Sequence, residues 1–564
     1  MKFSDYKYER PNFEDINNKI ISLVDNMKKS NDFEEFDQSI MEINKIRNHV
    51  ESMKTLASLK YSINTHDGSI ALENKYWDEQ GPEYKKIDKL FYEAIVNSNF
   101  EKEIEQKYGK HFYKLVEFSL KEFSEEIVED LKIENKLCSE YTKLLASAKI
   151  LYDGKYNNLS QMNKYMLSDN REERKKASER FYNYFESIED KFNSVFEELV
   201  KVRNRMAKKL GYDDFVELGY LRMKRTEYTE KDVDKFRKEV REKWIPLVDE
   251  FNKQKKERLN IDELKYYDDD VEYPGWNMEP VTDYDETLEA ASKMYHELSK
   301  ETGEFFDFMI ENGFMDLETK ESKGFGGYCT YIPEIKAPFI FSNFNKTFDD
   351  VDTLTHEAGH AFQLYMSRNI DMPEINFPTL DCCEIHSMTM ELLTWPWMKL
   401  FFKDDEEKFK RTHMATIVRL IPYCMIVDEF QHIIYKNPKL TPEERNSEWR
   451  RLEKIYTPWK NYDGNKFLEK GCWWFKQGHI FKNPFYYIDY TLAQICSLQF
   501  WKKMREDKVK GWDDYINICK VGGTKSFLEI VEIGNLKSPF KDGCVESVIN
   551  TIKEYLDSID DTKL

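Results

Sequence analysis

The chain has 564 residues and no apolar run long enough to span a bilayer. A spanning helix needs about 20 apolar residues, and the best stretch, residues 415–427, is broken by Arg419 and Pro422. The opening Met1-Lys2-Phe3-Ser4-Asp5-Tyr6-Lys7-Tyr8 lacks the apolar core of a secretory signal. Cysteine is scarce and odd in number, nine in all, with no Cys-x-x-Cys pair. That sets aside a disulfide scaffold and a thiolate metal cluster, and leaves reduced thiols in a cytoplasmic protein as the expectation. Positive charge is also in deficit: 85 Lys and Arg stand against 105 Asp and Glu, a net charge of −20. A nucleic-acid partner is therefore not expected. Nor is a membrane.

What the chain does have is Leu354-Thr355-His356-Glu357-Ala358-Gly359-His360-Ala361-Phe362. Apolar residues at 354, 358, 361, 362 and 365 recur at helical spacing, so the segment reads as a helix. On it His356 and His360, four apart, share one face and can offer two imidazole nitrogens to one metal ion. Glu357 is placed to take a proton from a water on that metal. Chance produces this spacing in roughly 3 % of chains of such composition. A third ligand is what decides.

A catalytic zinc takes three protein ligands and one water. Downstream, Asp381-Cys382-Cys383-Glu384-Ile385-His386-Ser387-Met388-Thr389-Met390-Glu391-Leu392 reads as a second, mostly apolar and buried helix. Glu384 and Glu391 fall on one face of it. Buried carboxylates need partners. Glu384 is the expected third ligand of a single Zn²⁺, and Glu391, two turns on, the acceptor for the free N–H of a liganding imidazole. The same ligand set suits cobalt or manganese. Cys382 and Cys383 are read as buried thiols packing like small hydrophobes, with modulation by oxidation as the alternative.

These segments resemble the zinc oligopeptidase family that includes thimet oligopeptidase, oligoendopeptidase F and the Pz-peptidases. The resemblance runs from about Ser168 to about Val548 and rests on further pieces in order. These are Pro338-Phe339-Ile340-Phe341-Ser342-Asn343, Asp428-Glu429-Phe430-Gln431, Leu440-Thr441-Pro442-Glu443-Glu444-Arg445, the stretch His479 to Tyr490, and Val521-Gly522-Gly523-Thr524. Asn483-Pro484-Phe485-Tyr486-Tyr487-Ile488-Asp489-Tyr490 looks most like the short bacterial Pz-peptidase and oligoendopeptidase F branch. The resemblance implies a mostly α, zincin-type metallopeptidase with a small β-sheet beside the zinc helix and a deep channel for short unfolded peptides. It implies that Tyr490 donates to the oxyanion and that His479 and Tyr487 hold substrate. The spacing from His479 leaves the choice among Tyr486, Tyr487 and Tyr490 open. It also implies that the strand edge bearing Phe339 and Phe341 pairs with the substrate backbone. The expected enzyme is a monomeric endopeptidase for short peptides. A zinc aminopeptidase and a non-catalytic peptide-binding scaffold are the alternatives; Glu357 speaks against the second.

Helical signals dominate the remainder. Residues 1–167 read as an N-terminal helical domain and 168–564 as the catalytic domain. Val116, Leu120, Phe123 and Ile127 form an apolar stripe, residues 61–72 read as a loop, and Asp169 with Glu172 as a capping box opening a helix. Residues 266–285 read as irregular, and 325–343 as two strands turning near Glu334. His386 points away from Glu384 on the same helix. It is read as structural or solvated, as are His49, His66, His111, His296, His413 and His432.

Overall fold

A computed structural model describes residues 2–559 apart from 275–279, 281, 321 and 325. Gly275 of the expected irregular segment and Phe325 of the expected strand region lie outside the described residues. The architecture is mostly α, as the sequence leads one to expect. Among the described residues no helix is long and apolar enough to cross a membrane.

The first helices enclose their own core, with Ile20, Ile40, Ile43, Phe91, Ile104 and Phe112 inside it. Helix α1 (Phe33–Ile63) begins at Asp32, whose carboxylate accepts the N–H groups of Glu34 and Glu35. It runs three residues into the segment read as a loop, to Ile63. The next helix starts at Gly68 under an Asp67 cap, leaving only residues 64–67 as a turn. The stripe from Val116 to Ile127 is not one helix either. The helix Lys110–Lys121 stops, and a short turn leads into Val128–Ala146. Val116 belongs to the first core, whereas Phe123 and Ile127, with Tyr141, Met162 and Tyr165, pack into a second and larger one. Along this stretch, packing passes from one core to the other near residue 120. The helix Arg171–Ser187 is capped by Asn170, not Asp169: the Asn170 side chain accepts from the N–H of Glu172 and Glu173.

Five short strands occur among the described residues. β1 (Ile150–Tyr152) and β2 (Lys155–Asn157) form a small antiparallel ribbon. β3 (Met315–Glu318), β4 (Tyr328–Ile332) and β5 (Ala337–Phe344) form a sheet in the order β3-β5-β4. β5 pairs parallel with β3, Met315 opposite Ile340, and antiparallel with β4, Thr330 opposite Phe339. β5 is therefore the central strand. Its near-continuous apolar run fits burial on both faces, and Phe339 and Phe341 are 1 % and 0 % exposed. This corrects the expectation that they meet substrate: they are sheet core, and the edge strands are β3 and β4.

Four helices carry the rest of the argument: α2 (Phe348–Ser367), α3 (Leu380–Leu393), α4 (Glu406–Lys436) and α5 (Tyr487–Glu506). Every residue of α3 from Asp381 to Leu393 is buried. α2 packs against β5 on one side and α3 on another. α2 and α3 come very close at Gly359. A Cβ added there would lie 2.6 Å from Ser387 Cα and 2.8 Å from the His386 carbonyl oxygen. Only a residue without a side chain lets the two backbones meet.

Candidate metal centre

The helical spacing of α2 stacks His356 over His360, and the Gly359 contact brings Glu384 of α3 opposite both. Their Nε2 atoms lie 3.3 and 3.4 Å from Glu384 Oε2. Zinc bonds of about 2.0–2.1 Å in a tetrahedron hold ligand atoms roughly 3.3 Å apart. The two imidazoles and one carboxylate therefore fit such an ion in both spacing and donor type. Ser387 donates to Glu384 Oε2 at 2.9 Å, and Tyr486 donates to its Oε1 at 2.8 Å. Both oxygens of this buried carboxylate are engaged.

Glu391, two turns along α3, accepts at Oε1 from His356 Nδ1 at 2.5 Å. That contact leaves the His356 Nε2 lone pair facing Glu384. The other Glu391 oxygen lies 2.9 Å from His413 Nε2, and Trp395 Nε1 donates to His413 Nδ1 at 3.0 Å. His413, read from sequence as structural or solvated, is thus a member of this network. No local spacing marks it, since it arrives on α4.

Glu357 is 8 % exposed. Burial raises its carboxyl pKa, while the neighbouring His356 and His360 and the Cys329 backbone N–H pull it down. Cys329 lies on β4, an edge strand of the sheet. Cys329 and Tyr331, two apart, address the same edge. A cavity of 790 Å³ opens alongside, walled by α1 residues including Arg47, Val50 and Lys54, by Cys329, Thr330 and Tyr331, and by Ile370, Pro373 and Phe377. The Phe377 ring is 6.3 Å from that of His360. The cavity between the first helices and the sheet therefore ends beside the metal group.

The aromatic cluster approaches from the other side. Arg225 bonds the Phe485 carbonyl and Asp489 Oδ1, the latter at 2.7 Å, and pins the start of α5. Sequence reading passed over this buried pair. Tyr486, one of the three phenols among which the sequence leaves the choice open, donates here to Glu384. The Tyr490 ring lies 4.7 Å from that of Tyr486 and 5.9 Å from His479, and Tyr487 lies 4.8 Å from His479. Burial raises the pKa of all three phenols, so each keeps its proton at neutral pH. Burial, with Lys482 adding to it, lowers His479 to about 4. Tyr423 donates to Gln477 Oε1 at 2.8 Å, and the Gln477 amide donates to His479 Nδ1 at 3.0 Å. The neutral ring therefore carries its proton on Nε2 and can donate it. Cys382 and Cys383 are buried thiols, as are most of the nine.

Comparison with known proteins follows the same lines. The structure of "Pz peptidase A with inhibitor 2" is 48 % identical, covers 99 % of this chain and 100 % of that one, and superposes with a TM-score of 0.95. "Oligoendopeptidase F, chromosomal" of Lactococcus lactis subsp. cremoris is 23 % identical over 403 residues, 70 % of this chain and 65 % of its own. "Oligopeptidase PepF" of Bacillus subtilis (strain 168) is 22 % identical over 412 residues, 70 % of this chain and 58 % of its own. The matches to these two relatives span less than two thirds of their length. The mostly α fold expected from sequence is that of the matched structure. A family model for the peptidase M3 N-terminal domain matches residues 3–123 and one for peptidase family M3 itself matches residues 164–548, well over half of the sequence, so the chain belongs to peptidase family M3.

Proposed function

We propose that the chain is a zinc-dependent endopeptidase that hydrolyses internal bonds of short unstructured peptides. The observation that carries this reading is the convergence of His356 Nε2, His360 Nε2 and Glu384 Oε2 beside Glu357, at the end of a cavity edged by β4. A zinc ion held by those three side chains would polarise the scissile carbonyl and acidify a water. Glu357 takes the proton of the attacking water and returns it to the departing amine. Tyr490 and His479 donate hydrogen bonds as the carbonyl oxygen gains negative charge, and Tyr487 helps hold the peptide. Glu391 keeps the proton of His356 on Nδ1. The β4 edge, beside Cys329, supports a peptide laid down as an added strand. The cavity walls formed by α1 would admit an extended chain and exclude a folded domain. The nine cysteines are all unbridged, which supports a reducing, cytoplasmic setting. The expectation of a monomer stands within the same proposal.

The test is cleavage of an internally quenched peptide blocked at both ends, with a chelator arm and zinc re-addition. Internal cleavage that stops with the chelator and returns with zinc is the expected result. Trimming of free N-termini with blocked peptides left intact would replace it with an aminopeptidase. No turnover by a folded, metal-loaded chain would leave a binding scaffold.

The tyrosines separate by what each variant loses. Tyr490→Phe should lower kcat by about 10²–10³-fold, the usual cost of one oxyanion donor, with zinc affinity unchanged. Tyr486→Phe removes the donor to Glu384 and should weaken zinc binding by about 10–100-fold, with kcat recovering at saturating metal. Zinc titration alongside steady-state kinetics reads both, and an exchange of the two phenotypes would reverse the assignment.

A further inference from the structure

Beside the first group lies a second set of side chains able to hold a cation: Asp352, Glu391 and His413, with ligand atoms within 4.8 Å of one another. Asp352 stands one turn before His356 on α2, Glu391 lies on α3 and His413 on α4. His413 Nε2 is 2.9 Å from Glu391 Oε2 and 3.6 Å from Asp352 Oδ1. Asp352 Oδ1 is a buried oxygen with no hydrogen-bond partner. Two carboxylates and an imidazole at these distances make a donor set for a divalent ion.

Trp395 stands behind this group. Its Nε1–H donates to His413 Nδ1 at 3.0 Å. An indole N–H donates and never accepts, so Nδ1 must keep its lone pair. A neutral imidazole then carries its proton on Nε2, the nitrogen that faces the two carboxylates. A nitrogen that bears a proton cannot bind a metal. We propose that Trp395 locks His413 as the Nε2–H tautomer and thereby keeps the Asp352–Glu391–His413 group free of metal, so that the chain holds one ion and not two. The proton so placed goes to Glu391 Oε2, leaving Oε1 for His356. A second ion would draw Glu391 away from that imidazole. Trp395 and His413 act through Glu391 and are positioning residues. The proposal rests on the reading of His356, His360 and Glu384 as the resident site.

Its test is the zinc stoichiometry of the full chain, by elemental analysis after equilibration with excess zinc and removal of free ion. The native chain should hold one equivalent. Trp395→Phe frees Nδ1 to take the proton and exposes the Nε2 lone pair, so a second equivalent should bind. Adding Asp352→Asn to that variant should return it to one. His360→Ala in the native background should release the resident ion. If it does not, the resident-site reading fails, while the difference between Trp395→Phe and native still decides the tautomer lock. A native chain with two equivalents, one of them lost on Asp352→Asn, overturns the proposal. A folded Trp395→Phe chain at native stoichiometry overturns it too. Trp395 packs between Trp501 and Tyr555, so its replacement can unfold the chain. Neutron diffraction from native crystals then reads the lock directly. Deuterium on His413 Nε2 with a bare Nδ1 supports it, and deuterium on Nδ1 overturns it.

Discussion

The Glu357→Gln chain should fold, bind zinc and bind peptide like the native one, and turn over about 10²–10⁴-fold more slowly, the usual contribution of a general acid–base group. Gln has the size of Glu and keeps a carbonyl oxygen that can accept a hydrogen bond. It has no basic site for the proton of the attacking water. The loss therefore falls on kcat, with KM and metal content within about twofold of native, as for a group that acts only in the transition state. Single-turnover kinetics with the quenched peptide, together with elemental analysis, make the comparison. A Gln variant that keeps more than about a tenth of native kcat would place the base elsewhere. The buried carboxylates nearby, Glu384 and Glu391, already have partners of their own.

Gly359→Ala, a change of one methyl group, should cost nearly as much by a different route. The new Cβ would sit 2.6 Å from Ser387 Cα and 2.8 Å from the His386 carbonyl oxygen, both backbone atoms of a fully buried helix. No rotamer change relieves that clash. α2 and α3 must part, at a cost of about 1–3 kcal/mol for overpacking. Glu384 is two and three residues from the atoms struck, so its oxygen moves away from the two imidazoles. A displacement of about 1 Å can cost about 10²-fold in rate. The expected picture is a lower melting temperature, weaker zinc binding and activity down by about 10²-fold or more, only partly restored by excess zinc. Differential scanning calorimetry and chelator competition would show it. Native zinc affinity in the Ala chain would mean that the helices do not meet as described.

How much of this was legible beforehand depends on how far apart the cooperating residues lie in the chain. His356, Glu357 and His360 are fixed relative to one another by helix geometry alone, as are Glu384 and Glu391, so spacing could name them. Burial of α3 was readable from its apolar flanks, and with it the demand that both carboxylates find partners. Gly359 sits in plain view within the motif, yet its role depends on another helix passing 2.6 Å from where a Cβ would stand. His413 of α4 meets Glu391 of α3, and Trp395 meets His413, by tertiary contacts between separate segments, and no periodicity carries that information. Phe339 and Phe341 were misplaced because β3 contributes only four residues, Met315–Glu318, too few to show alternation. Without β3, β5 looks like an edge. With it, β5 is the centre. The caps failed by one residue at Asn170 because Asp169 is an equally good cap by composition.

The unpaired edge of β4 bears on which peptides survive. On the proposed reading, a strand laid along it would be gripped through its own amide groups, and these are the same for nearly every residue. Identity of the side chains then matters less than whether the amide nitrogen carries a hydrogen. Proline does not, and neither does an N-methylated residue. Because bonded and unbonded positions alternate along a strand, a proline at one phase would be tolerated and at the next refused. A peptide's lifetime would be set less by its composition than by the parity of its prolines.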